Sequence, residues 1–263
     1  MPFSANLGFL WNHLPLADAI VLAHQAGFAA VECHWPYEHK AADVKAALET
    51  TGLPMLGINT HPGQLDQGEF GLCALPDQVE RARASIDQAL SYAAEINAKN
   101  VHVMAGNAIG DAAKETFMSN LAYAAEQAKA HNITVLIEPL NHRDAPHYFL
   151  KTTDQAIEII EALGLPNLKL MFDCYHVQIM EGDICERLTS LLPHIGHIQF
   201  ASVPARQEPD TGELNYAHIF DHIAQLGYKQ PLGAEYKPSP QDHPDQLDLN
   251  WMTLLRRDRY LPA

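Results

Sequence analysis

Eight times along the chain, a short run of apolar and β-branched residues gives way to a longer stretch whose apolar positions recur at helical spacing. The short runs are 3–9 (FSANLGF), 29–35 (AAVECHW), 54–60 (PMLGINT), 100–106 (NVHVMAG), 134–140 (TVLIEPL), 168–174 (LKLMFDC), 195–201 (IGHIQFA) and 232–237 (LGAEYK). Between them lie amphipathic stretches such as 77–96 (DQVERARASIDQALSYAAEI) and 112–131 (AAKETFMSNLAYAAEQAKAH), built from good helix formers. Gly then appears where a helix must exit through a left-handed turn, in QAGF (25–28), TTGLP (50–54), ALGLP (162–166) and QLGY (225–228), each just before a new strand. A repeated cycle of strand, helix, Gly stop and strand predicts parallel strands with right-handed crossovers. Eight cycles close most naturally as an α/β fold of the (β/α)8 barrel type, one domain over residues 1–263. An open doubly wound sheet is the alternative, but no G-x-G-x-x-G follows any strand.

Length and charge narrow the picture further. A chain of 263 residues suits a single barrel and buries a large core without disulfide staples. The net charge of −15 disfavours a polyanionic partner, because nucleic-acid binding leans on clustered Lys and Arg; no nucleic-acid role is expected. No apolar run approaches the ~20 residues that cross a bilayer, and the start (MPFSANLGFLWNHL) has no basic region ahead of an apolar one, so the expectation is a soluble protein without a membrane role. Cys33, Cys73, Cys174 and Cys185 show no Cys-x-x-Cys spacing and read as reduced thiols of a cytoplasmic protein. A homo-oligomer is left open.

The polar residues at strand ends carry the chemistry. The fifth run ends in Glu138, the sixth in Asp173, the seventh in Gln199 and the eighth in Glu235. Residues two apart on a strand face the same way, so Leu136 pairs with Glu138, Met171 with Asp173, His197 with Gln199 and Gly233 with Glu235. In a barrel these neighbouring strands would aim carboxylates and an amide into one mouth, where the carboxylates would repel one another unless a cation sat among them. Oxygen donors of this kind suit a hard divalent ion, Mg²⁺ or Mn²⁺, at roughly 2.0–2.2 Å. The longer irregular segments 61–75 and 201–214 both follow strands and would lie over that mouth, where barrel loops carry function.

The stretches FDCYHVQIMEGD (172–183), GHIQFASVPARQEPDTGELNY (196–216), IEPLN (137–141) and GAEYKP (233–238) resemble the hydroxypyruvate isomerase family, within the xylose-isomerase-like TIM barrels, and the likeness runs over nearly the whole chain. Gln199 is its most specific part, since related sugar epimerases usually carry His there. The resemblance implies a metal held by Glu138, Asp173, Gln199 and Glu235, proton exchange by Glu138 and Glu235, and substrate contacts from His176 and Arg206. It also suggests hydroxypyruvate and tartronate semialdehyde (2-hydroxy-3-oxopropanoate) as the substrate pair. A 2-oxo-tetronate isomerase or a ketose 3-epimerase could use the same site, and a metal-dependent endonuclease-like hydrolase is a remote alternative.

Isomerisation of this type removes a proton beside a carbonyl, passes through an enediolate and returns a proton to the neighbouring carbon. It needs a base, an acid and a stabilised oxyanion; the divalent ion would serve the last and Glu138 and Glu235 the first two, with their order left open. A small 2-oxo acid substrate is anionic, so a cation must meet its carboxylate. Arg206, with its planar fork in the loop after the seventh strand, is the first candidate, and Lys237, two past Glu235, the second. A loop ion pair of Arg206 with Glu208 or Asp210 is the bland alternative. His176, three residues past Asp173, and His61, ending the third strand, are candidate mouth residues; Phe9 and Trp11 would either cover the site or pack in the core.

Overall fold

The computed structural model describes residues 1–240 and 247–255. All eight expected strands form, as β1 (Phe3–Asn6), β2 (Ala30–Glu32), β3 (Gly57–Asn59), β4 (Asn100–His102), β5 (Thr134–Ile137), β6 (Leu168–Asp173), β7 (Ile195–Phe200) and β8 (Leu232–Ala234). Every paired neighbour is parallel, in the order β2-β1-β8-β7-β6-β5-β4-β3. The remaining gap between β2 and β3 is spanned by a parallel bridge of Val31 with Met55, where Leu56 N–H donates to Val31 O at 2.7 Å and Cys33 N–H donates to Gly57 O at 3.1 Å. The eight strands therefore make a nearly closed barrel.

Helices α1 (Leu16–Gln25), α2 (Ala41–Thr51), α3 (Val79–Ile96), α4 (Asp111–Lys129), α5 (Thr153–Leu163), α6 (Cys174–Met180), α7 (Ile184–Leu191), α8 (Tyr216–Gln225) and α9 (Asn250–Leu255), with short 3-10 turns at Leu65–Gln67, Pro76–Gln78 and Leu192–His194, complete the described elements. On α3 the buried stripe Ala82, Ile86, Ala89, Leu90, Ala93 and Ile96 follows the three-and-four spacing of one helix face, and its alanines let the helix lie close on the sheet. The expected Gly exits are all present, with φ of 84° at Gly27, 71° at Gly52, 60° at Gly164 and 82° at Gly227. Between β6 and β7 the chain uses the pair α6 and α7 instead of one helix. Of the described residues, no helix is long and apolar enough to cross a membrane, and the four cysteines are unpaired.

The strands end earlier than the apolar runs suggest. Glu138 stands one residue past β5 and Glu235 one past β8, whereas Asp173 and Gln199 remain within β6 and β7. Single backbone bonds still tie the chain to its neighbours just past the strand ends, as from Glu235 N–H to Phe200 O at 3.1 Å and from Val103 N–H to Leu136 O at 2.9 Å.

Segment 61–75 is pinned over the mouth from two sides. On α4 the buried Asn120 donates through Nδ2 to Cys73 O at 2.9 Å. The second anchor is a close backbone approach, with Gly71 paired antiparallel to Ala105. Gly106 has φ of 95°, and a Cβ there would stand 2.3 Å from Gly71 O. Gly106→Ala is thus strained in both space and dihedral, and should cost about 2 kcal/mol or more. A fall in Tm of at least about 4 °C is expected by calorimetry, and an unchanged Tm would show that this approach contributes nothing to the fold.

Candidate active site

The cluster at the C-terminal mouth is built from consecutive strand ends. β5 delivers Glu138, β6 delivers Asp173, the first turn of α6 delivers His176 and the end of β8 delivers Glu235; one ligating atom from each lies within 4.8 Å of all the others. All are buried. Gln199 is the register partner of Asp173 across the β6–β7 ladder and is buried as well.

The hydrogen bonds determine what each group can still do. Asp173 caps α6, its Oδ1 accepting from Tyr175 N–H at 2.9 Å, while Oδ2 is buried with no partner. Glu138 Oε1 and Gln199 Oε1 are likewise buried without a partner. Such groups cost stability unless a ligand satisfies them. Three orphan oxygens from three neighbouring strands, beside a further carboxylate, form an all-oxygen set that fits a divalent metal ion.

Glu235 is held differently. Its Oε1 accepts from Asn6 Nδ2 at 2.9 Å and lies 2.9 Å from His34 Nε2, and its Oε2 accepts from Arg206 Nη2 at 2.8 Å. Burial alone would raise its pKa, but Arg206 and the His34 bond outweigh it and hold the carboxyl at about 2. Glu138 goes the other way: burial, then the charges of Glu235 and Asp173, push it well above the carboxylate range. Burial, then Glu235, pushes Asp173 up to about 7.

His176 is a donor into the site. Its Nδ1 accepts from Asn141 N–H at 3.0 Å and from Asn141 Nδ2 at 2.7 Å. Burial, then Arg206, drives its pKa well down, so the ring is neutral with its proton on Nε2, 3.6 Å from Asp173 Oδ2 and 3.9 Å from Glu138 Oε1. A ring in that tautomer has no lone pair on Nε2 for a metal. A metal ion here would therefore be held by the oxygens, with His176 beside them.

A cavity of about 320 Å³ is lined by the polar side chains His34, His102, Glu138, His176, Arg206 and Glu235 together with the apolar Trp35, Phe70, Met104, Leu140 and Ala145. Phe9 also lines it, and the Arg206 guanidinium sits between the rings of Phe9 and Tyr175, 4.9 Å from each centroid. Trp11 instead packs in the core against Phe28.

Residues 20–255 match the family model described as the xylose isomerase-like TIM barrel. The chain belongs to that family. Among its relatives, the 2-oxo-tetronate isomerase of Cupriavidus necator is 45% identical over 240 residues, covering 90% of this chain and 92% of that one. The hydroxypyruvate isomerase of Escherichia coli K12 is 35% identical, covering 95% of this chain and 97% of its own. A solved structure described as an AP endonuclease of family 2 from Brucella melitensis superposes with a TM-score of 0.88 at 36% identity, over 93% of this chain and 96% of that chain.

In this xylose isomerase-like barrel, Glu138, Asp173, His176, Arg206 and Glu235 converge, but two expected residues do not join them. His61 is exposed: β3 ends at Asn59, the chain turns outward, and the ring stacks on Tyr37 at 6.1 Å. Lys237 is exposed too, because the strand alternation that would have carried it inward stops with β8 at Ala234; its backbone N–H donates to Arg206 O at 2.8 Å. The bland reading of Arg206 also fails, since its partners are Glu235 and Asp144 (Nη1 to Oδ2, 3.3 Å), whereas Glu208 accepts from Ser239 N–H.

Sequence reasoning missed Asn6, Glu32, His34, His102 and Asp144. His34 lies near the end of run two and His102 ends β4, within run four. His102 is fully buried, neither ring nitrogen has a partner, and its Nδ1 lies 3.6 Å from Glu138 Oε2. Burial holds it at about 3, so it is neutral at ordinary pH.

The raised Asp173 carboxyl has a thermodynamic sign. The folded state binds its proton up to about pH 7, the unfolded chain only up to the ordinary carboxylate range, so stability of the metal-free protein falls as pH rises between them. A divalent ion competes with that proton. Mn²⁺ should therefore raise Tm more at pH 8 than at pH 5, with EDTA reversing the gain; a shift of equal size at both pH values would count against binding at Asp173.

Proposed function

We propose that this protein is an isomerase of small 2-oxo-3-hydroxy acids, exchanging hydroxypyruvate with 2-hydroxy-3-oxopropanoate, and that it works with Mg²⁺ or Mn²⁺ held by Glu138, Asp173, Gln199 and Glu235. The observation that carries this reading is the set of orphan oxygens on Glu138, Asp173 and Gln199, gathered beside the cavity. A four-carbon 2-oxo-tetronate substrate is the second reading, favoured by the 45% identity to the Cupriavidus necator protein. Both substrates undergo the same exchange between C2 and C3.

A bound divalent ion supplies charge stabilisation for the oxygens of the enediolate. The chain's own residues do the rest. Glu138 and Glu235 stand at the ends of β5 and β8, within ligand distance across the cluster, and each can reach a carbon-bound proton: one removes it from C3, and one returns it to C2. His176 Nε2–H donates to a substrate oxygen and helps to shift the hydroxyl proton. Neutral His102, with both nitrogens open, offers a further donor or acceptor on the Glu138 side. Arg206 meets the substrate carboxylate, and for this it must divide its fork between that group and Glu235.

Fold alone does not decide activity, and the Brucella melitensis relative is described as an endonuclease. The net charge of −15 opposes a DNA substrate. Among the described residues, moreover, the group at Glu138, Asp173, His176 and Glu235 is the single cluster of three or more His, Cys, Asp and Glu with metal-holding geometry. Free thiols fit a reducing compartment, and we place the reaction in the cytosol.

Glu138→Gln and Glu235→Gln should each slow conversion of hydroxypyruvate by about 10³-fold or more, read by NMR in D₂O with the barrel still folded, and the variant that lacks the C3 base should also lose deuterium entry at C3. Normal exchange in both variants would remove the acid–base assignment. For Arg206→Ala, kcat/KM toward the 2-oxo acids is expected to fall about 100-fold and the preference over neutral ketoses of equal length to collapse. If that preference survives, another group binds the carboxylate.

A further inference from the structure

We propose that Glu32 is a positioning residue that orients the side-chain amide of Gln199 so that its carbonyl oxygen, and not its NH2, faces the carboxylate cluster. The inference rests on the metal-binding reading and adds to it a residue that touches neither metal nor substrate.

Glu32 ends β2 and is 3% exposed, beneath the cluster. Its Oε1 accepts from Gln199 Nε2 at 3.0 Å and from Asn6 Nδ2 at 3.3 Å, and its Oε2 lies 2.5 Å from His197 Nε2. Asn6 is fixed with its Oδ1 accepting from Gly8 N–H at 2.9 Å, so it is its NH2 that reaches Glu32 Oε1, and the same acceptor oxygen takes the NH2 face of Gln199. The carbonyl oxygen then points the other way, where it is buried without a partner. With the NH2 held by Glu32, the carbonyl oxygen is the end of Gln199 left free for a cation, whereas a flipped amide would present N–H donors in its place. Glu32 forbids that flip. The space it occupies is kept open by Gly233, where a Cβ would stand 2.4 Å from Glu32 Oε1. Asn6 joins the same oxygen to a second ligand, because its Nδ2 also donates to Glu235 Oε1 at 2.9 Å.

The test is a cycle of four full-length proteins: wild type, Glu32→Gln, Gln199→Glu and the double variant, each titrated with Mn²⁺ by calorimetry. With Gln199 in place, Glu32→Gln should weaken Mn²⁺ by about 10- to 100-fold, the range for removing a group that orients a ligand. In the Gln199→Glu background the same change should cost nothing, because a carboxylate has no NH2 to present and loses a repulsive neighbour. If Glu32 acted by its charge alone, or by holding up the fold, the loss would be the same factor in both backgrounds; that result overturns the proposal, as does a loss below about threefold beside Gln199. Wild-type protein that takes up no Mn²⁺ overturns the metal reading and this inference together. Should Glu32→Gln fail to fold, Glu32→Asp, which keeps the charge but draws it back from the amide, carries the same comparison.

Discussion

Charge crowding at the barrel mouth is the constraint around which the site is arranged. Glu138, Asp173 and Glu235 bring their oxygens within 4.8 Å in a buried setting, where like charges raise one another's pKa and desolvation adds to the effect. Arg206, against Glu235 Oε2 at 2.8 Å and 3.8 Å from Asp173 Oδ2, offsets one of those charges. One divalent ion would offset what remains. Without it, burial and mutual repulsion push Glu138 and Asp173 toward the protonated state, Asp173 up to about 7.

The parallel barrel makes this crowding tolerable. Each acid stands at, or one residue past, the end of a largely buried strand, which limits how far it can swing away to relieve the repulsion. The loops add a second layer of constraint: Asn141 Oδ1 accepts from the N–H groups of Arg143 and Asp144 at 2.9 Å, which folds the turn that carries Asp144 to Arg206, while the same side chain's Nδ2 locks the His176 tautomer. One residue thus sets a donor and a counter-charge at once. Gly8 contributes by absence, since a Cβ there would come within 2.2 Å of the His34 ring that supports Glu235.

What was legible in the sequence followed from periodicity. Parallel strands and Gly exits are local patterns, so the eight strands and the inward direction of Asp173 and Gln199 could be read without coordinates. Alternation failed where the strand stopped. Lys237 was read on the face of Glu235, but β8 ends at Ala234 and the rule no longer applied. His61 failed for the same reason beyond Asn59. Glu32 was illegible for a different one: its partners Gln199 and His197 lie 167 and 165 residues away, and only the closure of the barrel brings them together. A carboxylate ending a short apolar run looks the same whether it grips an ion or orients the residue that does.

The lining of the cavity bears on substrate length. On the proposed reading, Glu138, His176, His102 and Glu235 would engage C1 to C3 of a 2-oxo-3-hydroxy acid, which both candidate substrates share. The apolar part of the lining offers little to a fourth carbon's hydroxyl, because Trp35 has its indole N–H directed to Met104 Sδ at 3.4 Å and Phe70, Leu140 and Ala145 are apolar. Asn59, at the end of β3, and Asp144 are polar lining groups outside the cluster that could meet such a hydroxyl. In the same reading the apolar lining would also keep water from protonating the enediolate before Glu138 or Glu235 does. Chain length would then be governed by the room beside Trp35 and Phe70 and by Asn59, and the reaction by the carboxylates at the strand ends.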